Sequence, residues 1–247
     1  MEEKWGCGEI PIKSSTKVQM SNPYVTPELY SFFRDLKKNN DRDWFNANKD
    51  RYIQSVRDPL LQLITDFGPL LSSISPHFLA IPKTNGGSLF RIYRDVRFSK
   101  NKDPYKTHAG VHFRHEAGKN AHAPGFYLHI EPGAAFIALG LWQPEMSVLT
   151  NIRQTIADDP ELWTEIVSEK DFASTYNLEG SSLKRPPKGF DPEHPLIEEI
   201  KRKDFIAVTN ISQKEAMAPD FLVNLADTWG RGRRFTEFLT LASGNPF

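Results

Sequence analysis

Apolar residues recur at helical spacing in the first part of the chain. Thr26 is a suitable N-cap and Pro27 suits a first helical turn. The apolar positions that follow are three and four residues apart, at Leu29, Phe32, Phe33 and Leu36. The pattern predicts an amphipathic helix. A second helix is predicted from Asp41 or Asp43 through "WFNANKDRYIQSV", and Pro59 predicts a kink or a fresh start for a third helical stretch.

The middle of the chain changes to a period of two. Four short segments alternate apolar with polar or aromatic residues and are separated by Gly, Pro and Asn: "LFRIYRDVRF", "GVHFRHE", "GFYLHIEPG" and "AAFIALGLW". We expect them to be neighbouring strands of an antiparallel sheet. The polar link at 115–124 is predicted to be an exposed flap.

Helical spacing returns in "EMSVLTNIRQTIADD" and "PELWTEIVSEK", before a Pro-rich basic loop, "LKRPPKGFDPEHP". A short helix at about 195–202, a strand "DFIAVTNIS", and helices over about 219–242, broken near "WGRGRR", complete the pattern. Strands grouped in the middle with helices on both sides in sequence predict an α+β fold: a mainly antiparallel central sheet with N-terminal and C-terminal helices packed on one face.

Composition narrows the class of protein. The 247 residues are 39% apolar and 25% charged, which is typical of a folded globular chain. We expect a flexible extension at 1–23 and a single α+β domain at 24–247. The longest apolar run has nine residues, so no membrane span is predicted. The absence of a signal-peptide pattern and the single cysteine, Cys7, favour a cytoplasmic location.

Positive charge is concentrated in "FRIYRDVRFSKNKDPYKTH", which holds six Lys or Arg and two Asp although the whole chain has a formal net charge of zero. Overall neutrality argues against a surface that binds nucleic acid throughout, so an anionic partner would be met locally. In a strand at 90–98, Arg94 falls among the apolar positions. It is therefore either re-aimed by a bulge or paired with an acid near the core. A structural ion pair and a functional role are both left open.

The same alternation divides the predicted sheet into two faces. One face is apolar, and the other collects donors, aromatic planes and possible acids or bases, at Arg91, Tyr93, Arg97, His112, Arg114, Tyr127, His129 and Glu131. A solvated outer face is the alternative. Because Arg, Tyr and His bind planar or anionic groups, we favour a pocket.

Two loops add to this surface. Lys106 and His108 end the basic block and approach the next strand, whereas Lys100 and Lys102 fit a solubilising loop. The Pro-stiffened loop brings Lys184 and Arg185 as a candidate second wall of the same anion site.

Metal binding is weakly indicated. His108, His112 and His115 cannot all converge from a strand, and a set of His112, His129 and Glu131 depends on strand register. No phosphate-binding or dinucleotide-binding glycine motif is present. We therefore predict no metal and no cofactor.

Six blocks carry a family resemblance: "FFRDLKKNNDRDWFNANKDRY", "GGSLFRIYRDVRFSKNKDPYKTH", "GFYLHIEPG", "GLWQPE", "LKRPPKGFDPEHP" and "RKDFIAV". In this order they resemble domain-of-unknown-function family 2461 of bacteria and fungi, over roughly residues 26–241. The resemblance implies a single-domain cytoplasmic α+β protein and no particular reaction. The block "VHFRHEAGKNAHA" departs from the family's wording, which weakens His112, His115 and His122 as shared functional residues.

Our first functional hypothesis is binding of a small anionic or phosphorylated ligand in a basic groove, with turnover left open. The predicted anion-holding residues are Arg91, Arg94, Arg97, Lys106, Lys184 and Arg185. Tyr105 or Tyr127 would stack on the ligand, and His108 or Glu131 would carry a proton if there is catalysis. The alternatives are a non-catalytic nucleic-acid or protein-binding module and a purely structural set of ion pairs. The oligomeric state is left open.

Overall fold

The computed structural model describes residues 22–118 and 124–247. The predicted N-terminal extension up to residue 21 and the centre of the predicted flap, 119–123, lie outside these described residues. The helices are Pro27–Lys38 (α1), Arg42–Ala47 (α2), Lys49–Tyr52 (α3), Asp58–Ile74 (α4), Met146–Asp158 (α5), Pro160–Ser168 (α6), Lys170–Thr175 (α7), Ile197–Ile200 (α8), Gln213–Ala216 (α9), Phe221–Arg231 (α10) and Arg233–Ala242 (α11). The strands are Phe78–Leu79 (β1), Ala109–His115 (β2), Gly125–Ile130 (β3), Phe136–Leu141 (β4), Asn177–Glu179 (β5) and Phe205–Asn210 (β6).

The N-terminal helices begin where the sequence supplies caps. The Thr26 side chain accepts a hydrogen bond from Leu29 N at the start of α1, and Asp41 accepts one from Trp44 N at the start of α2. Between α3 and α4 the chain forms a π-helical turn at Ile53–Arg57. Pro59 lacks the N–H that would bond to the fourth residue before it, and the wider turn accommodates this loss. The kink predicted at Pro59 is thus resolved as a π turn.

All neighbouring strands are antiparallel, in the order β1-β2-β3-β4-β6-β5. Register places Val111 opposite Leu128, and Leu128 opposite Ile137. Matching phases in adjacent strands bring the apolar residues of the sheet to one face.

Helices cover that apolar face. Phe113 and Phe126 on the sheet are fully buried against Trp229 of α10, and Phe113 also packs on Phe67 of α4, with ring centroids 5.2 Å apart. We call this the covered face and the opposite side of the sheet the open face. The predicted α+β class, with a mainly antiparallel sheet and N- and C-terminal helices on one face, is confirmed.

The predicted strand at 90–98 is wrong. Residues 90–98 are irregular apart from a single bridge between Tyr93 and Tyr105, although Leu89 just before them pairs with Val111. The backbone pairs with the residues ahead of β2 only as far as Arg94 N, which donates to Pro104 O at 2.9 Å. The physical reason is that Pro104 has no N–H with which to continue the ladder, so the pairing ends there. Alternation alone does not make a strand without a neighbour to complete its hydrogen bonds.

Among the helices of the described ranges, none has both the length and the apolar character needed to cross a bilayer.

Candidate ligand-binding site

The open face of the sheet forms the floor of a pocket of about 450 Å³. The lining residues used below come from the segment before β2 and from strands β2, β3, β4 and β6: Phe90, His112, Tyr127, Phe136, Ala138 and Val208. We call this lining the trough. Trp142, Glu179 and Asn210 extend it toward the other edge of the sheet. A pocket of this size and mostly apolar character is typical of a small-molecule site.

Two glycines give the trough its depth. A Cβ added to Gly110 would lie 2.7 Å from the Tyr127 hydroxyl, and one added to Gly125 would collide with the His112 ring. Both rings therefore lie close to the backbone of the neighbouring strand. Glycine is required at these positions because of this close approach and not because of backbone angles.

His112 is the most enclosed polar group of the trough. Its residue is 7% exposed, and Nδ1 has no hydrogen-bond partner among the described atoms. Burial, and to a smaller extent the charge of Arg114, lowers its pKa to about 3, so the ring is neutral at neutral pH.

A polar cluster adjoins the trough where β2 begins and β3 ends. We call Thr107, His108, Tyr127, His129 and Glu131 the polar end. His129 Nδ1 is 3.2 Å from the Tyr127 hydroxyl, and His129 Nε2 is 3.2 Å from Glu131 Oε2. The His129 ring also stacks on Phe136, with centroids 4.6 Å apart and planes 10° apart. These contacts join the polar end to the aromatic wall of the trough.

Burial governs the protonation of this cluster. It lowers the pKa of His129, which outweighs the raising effect of Glu131, and it raises the pKa of Tyr127 to about 12. Burial, followed by the nearby His129, lowers the pKa of His108 to about 4. Both imidazoles are therefore neutral at neutral pH and keep a nitrogen lone pair.

The polar end has the composition of a metal site. His108, His129 and Glu131 each offer one ligand atom, and these atoms all lie within 4.8 Å of one another. His112, which the sequence analysis considered in this role, is directly opposite Tyr127 and belongs to the trough instead. The predicted absence of a metal stays a prediction.

Lys106 contacts the aromatic lining of the trough. Its ammonium lies 5.3 Å from the centre of the Phe90 ring and donates to the carbonyl of Arg91 at 2.9 Å. Burial and then the charge of Arg91 lower the pKa of Lys106. A half-buried ammonium therefore stands at the edge of the aromatic lining.

Two arginines of the basic block, Arg94 and Arg97, pair with acids of their own loop. Arg97 is 77% exposed in its side chain and makes a bidentate pair with Asp95, two residues away. Arg94 is partly buried and lies 3.9 Å from Asp103, also in the loop. The guanidinium of Arg94 therefore meets an acid of its own loop rather than one in the core.

Comparison with models of protein families shows to which family the chain belongs. A model described as "Conserved hypothetical protein (DUF2461)" matches residues 28–238. The chain belongs to this family. No curated protein and no solved structure matches it significantly.

In this DUF2461 protein, three residues predicted to bind ligand lie away from the trough lining. Tyr105 is 3% exposed and stacks on Phe45, with ring centroids 4.1 Å apart. Its ring is therefore part of the core and does not face a ligand. Lys184 and Arg185 are exposed on the loop after β5, at the sheet edge opposite β1. The predicted second wall is therefore not part of the described lining.

The apolar lining was missed in the sequence. Phe136, Ala138 and Val208 were assigned no role, although Phe136 and Ala138 share a phase with Gly140 and Trp142. The available signal was that β4 is apolar on both phases, which is unusual for a strand with one solvated face.

Proposed function

We propose that this chain binds a small ligand whose flat apolar body lies in the trough and whose anionic group faces Lys106. The observation that carries the proposal is the aromatic pocket on the open face. Glu179 is the one Asp, Glu, Lys or Arg among the described lining residues, so most of the ligand would be apolar. The proposal narrows the predicted anionic ligand to one with a substantial apolar part, and it retains the predicted cytoplasmic setting.

The shape of the trough favours a planar body. Tyr127 and Phe90 face each other with ring centroids 5.9 Å apart, and Phe136 lies 5.8 Å from Tyr127. Aromatic side chains at these separations present faces and edges on which a flat ring system can stack. Their positions are fixed by strand pairing, so little order is lost on binding.

Lys106 supplies the anchoring charge. An ammonium carries three donors, and the described hydrogen bond to Arg91 uses one of them. A carboxylate or phosphate at this edge would accept from the others while its apolar part covers Phe90. Arg91, exposed beside Lys106, adds positive charge to the same edge.

Thermal denaturation with three probes tests the two halves of the ligand. Phenyl phosphate combines ring and anion, phenol supplies the ring alone, and inorganic phosphate supplies the anion alone. We expect phenyl phosphate to raise the melting temperature more than either fragment at the same concentration, because a ligand that binds only the folded state stabilises it more when its dissociation constant is lower.

Three variants locate the binding. Ala138→Leu fills the trough and Lys106→Met removes the charge while keeping an apolar stem; each should reduce the shift with phenyl phosphate. Lys100→Met, in the exposed part of the basic loop, is the matched control and should keep it. An equal response of all three variants would refute the trough as the site. No response to any probe, together with salt-sensitive binding to an oligonucleotide, would favour the nucleic-acid alternative.

A further inference from the structure

We infer that His108, His129 and Glu131 form a binding site for a divalent transition-metal ion. This inference concerns the polar end and does not require a ligand in the trough. The sequence analysis considered His112 rather than His108 beside His129 and Glu131, because the choice depends on how β2 and β3 pair. The observation that carries it is the meeting of two imidazoles and one carboxylate with their ligand atoms inside 4.8 Å.

The spacing is close to what a metal ion requires. Bonds of about 2.0 to 2.2 Å to nitrogen and oxygen place neighbouring ligand atoms about 3 to 3.5 Å apart. His129 Nε2 and Glu131 Oε2 are already at 3.2 Å. The His108 ligand atom lies within 4.8 Å of the other two, and the His108 ring lies against that of His129 with centroids 4.3 Å and planes 32° apart. Binding an ion therefore requires the His108 ligand atom to approach the other two by at most about 1 to 2 Å.

The backbone holds the ligands in place. His108 immediately precedes β2 and Glu131 immediately follows β3, while His129 lies within β3 opposite Gly110. Ala109 pairs with Ile130, so the two strand ends that carry the ligands are joined by the ladder itself. Sites built on paired strands are positioned more accurately than sites on loops.

Each of two ligands has a supporting contact. The Nδ1 atom of His129 is 3.2 Å from the Tyr127 hydroxyl, which leaves Nε2 directed at the site. Thr107 Oγ1 donates to Glu131 Oε1 at 3.4 Å, which leaves Oε2 for the ion. Metal-binding histidines usually have such a partner on the second ring nitrogen, and its loss weakens metal binding about 10- to 100-fold.

The ligand types select the ion. Two imidazoles and one carboxylate suit Zn²⁺, Fe²⁺ or Co²⁺ better than Mg²⁺ or Ca²⁺, which prefer oxygen ligands. Three protein ligands leave at least one position for water or an added anion. Lys106 and Arg94 are close enough to His108 for their charges to act on it, so an anion at that position would also be favoured by them. When His108 and Glu131 bind a metal ion, they use the lone pairs that would otherwise accept a proton. For these two residues, the role of metal ligand therefore replaces the predicted role of proton carrier.

Titration of the chelator-stripped full chain with Zn²⁺ by calorimetry, and with Co²⁺ by visible absorption, tests the site without any trough ligand. We expect one ion per chain and Co²⁺ bands of a nitrogen- and oxygen-ligated ion. His129→Ala and Glu131→Gln should each weaken binding at least about 100-fold, and Tyr127→Phe about 10-fold.

A second His–Glu pair provides the matched control. His77 Nδ1 lies 2.7 Å from Glu116 Oε1 with no third ligand of this kind grouped with it among the described residues. His77→Ala should leave the affinity and the Co²⁺ spectrum unchanged. If wild-type protein binds neither ion, or if His129→Ala and Glu131→Gln keep wild-type affinity while folded, the site is refuted. Tyr127→Phe removes only a hydroxyl, so we expect this variant to fold. If it binds the ion with wild-type affinity, Tyr127 does not support the site. The trough variants Ala138→Leu and Lys106→Met alter no metal ligand, so failure of either proposal is recognised separately.

Discussion

Neighbouring residues of the same strand serve the two faces of the sheet in different ways. On β2, Phe113 points to the covered face, has no exposed area and packs between aromatic rings of two helices. The preceding residue, His112, points to the open face and leaves one ring nitrogen without a described partner. Side chains of the covered face pack against side chains of the helices. The open face keeps polar groups and aromatic surface that a ligand could satisfy.

Apolar side chains have different roles on the two faces of the sheet. Phe126 and Phe136 are both aromatic strand residues, but Phe126 contacts Trp229 in the core whereas Phe136 lines the trough and stacks on His129. Burial on the covered face supports folding, and partial exposure on the open face provides binding surface.

Truncation of one ring on each face should separate these roles most strongly. Phe113→Ala should lower the free energy of unfolding by about 3 to 5 kcal/mol, because it removes a fully buried ring and leaves a cavity. Phe136→Ala should cost about 1 kcal/mol, since its ring is only partly buried. Denaturant unfolding of the two variants measures both values. Equal losses would mean that the open face is part of the core.

Substitution of Asp204, which immediately precedes β6, should have an intermediate and pH-dependent effect on the free energy of unfolding. Burial opposes its ionisation, but hydrogen bonds from Ser181 N, Ser181 Oγ and Gln143 N outweigh burial and lower its pKa. The charged form therefore stabilises the fold above the unfolded-state pKa, and this contribution is lost as the pH falls through the lower folded-state value.

Asp204→Asn should accordingly lower the free energy of unfolding by about 1 to 3 kcal/mol at neutral pH and by progressively less in acid. Urea unfolding across that pH range measures the change. Asp227→Asn, at an exposed ion pair on α10, is the control and should show little effect at either end. A loss for Asp204→Asn that does not vary with pH would contradict an ionic origin.

The smallest effect is expected in the basic loop. Arg97→Gln should leave the melting temperature unchanged, because the pair with Asp95 is exposed and joins residues only two apart. Differential scanning calorimetry of Arg97→Gln beside Phe136→Ala provides the comparison. A clear loss for Arg97→Gln would instead support the hypothesis that the basic block is a structural set of ion pairs.

The parts of the fold that depend on local chemistry were predictable. Helix α1 starts after its Thr26 cap, and the second helical stretch begins after Asp41, within the predicted choice of starts. Strands β2, β3, β4 and β6 followed from alternation because each has partners on both sides. The segment at 90–98 alternates equally well, but its pairing with the residues ahead of β2 ends at Pro104, and sequence period does not reveal that.

The candidate site was less predictable because it depends on pairing between distant residues. The sequence selected Tyr127, His129 and Glu131 for one face, and the structure brings them into contact. It did not predict that His108, ahead of β2, would lie against His129, since this contact requires the β2–β3 register. The ion-pair partners of Arg94 and Arg97 could not be predicted either, because Asp103 and Asp95 lie in loops, outside any helix or strand.

Three of the five tryptophans of the chain serve as two kinds of optical reporter. Trp163 and Trp229 are fully buried in the core, whereas Trp142 is 51% exposed at the rim of the trough. Occupation of the trough should therefore alter the fluorescence of Trp142 while the emission of the buried indoles stays blue-shifted until the chain unfolds. A Trp142→Phe variant should remove the first signal and keep the second, so binding and unfolding can be followed in the same cuvette without an added label.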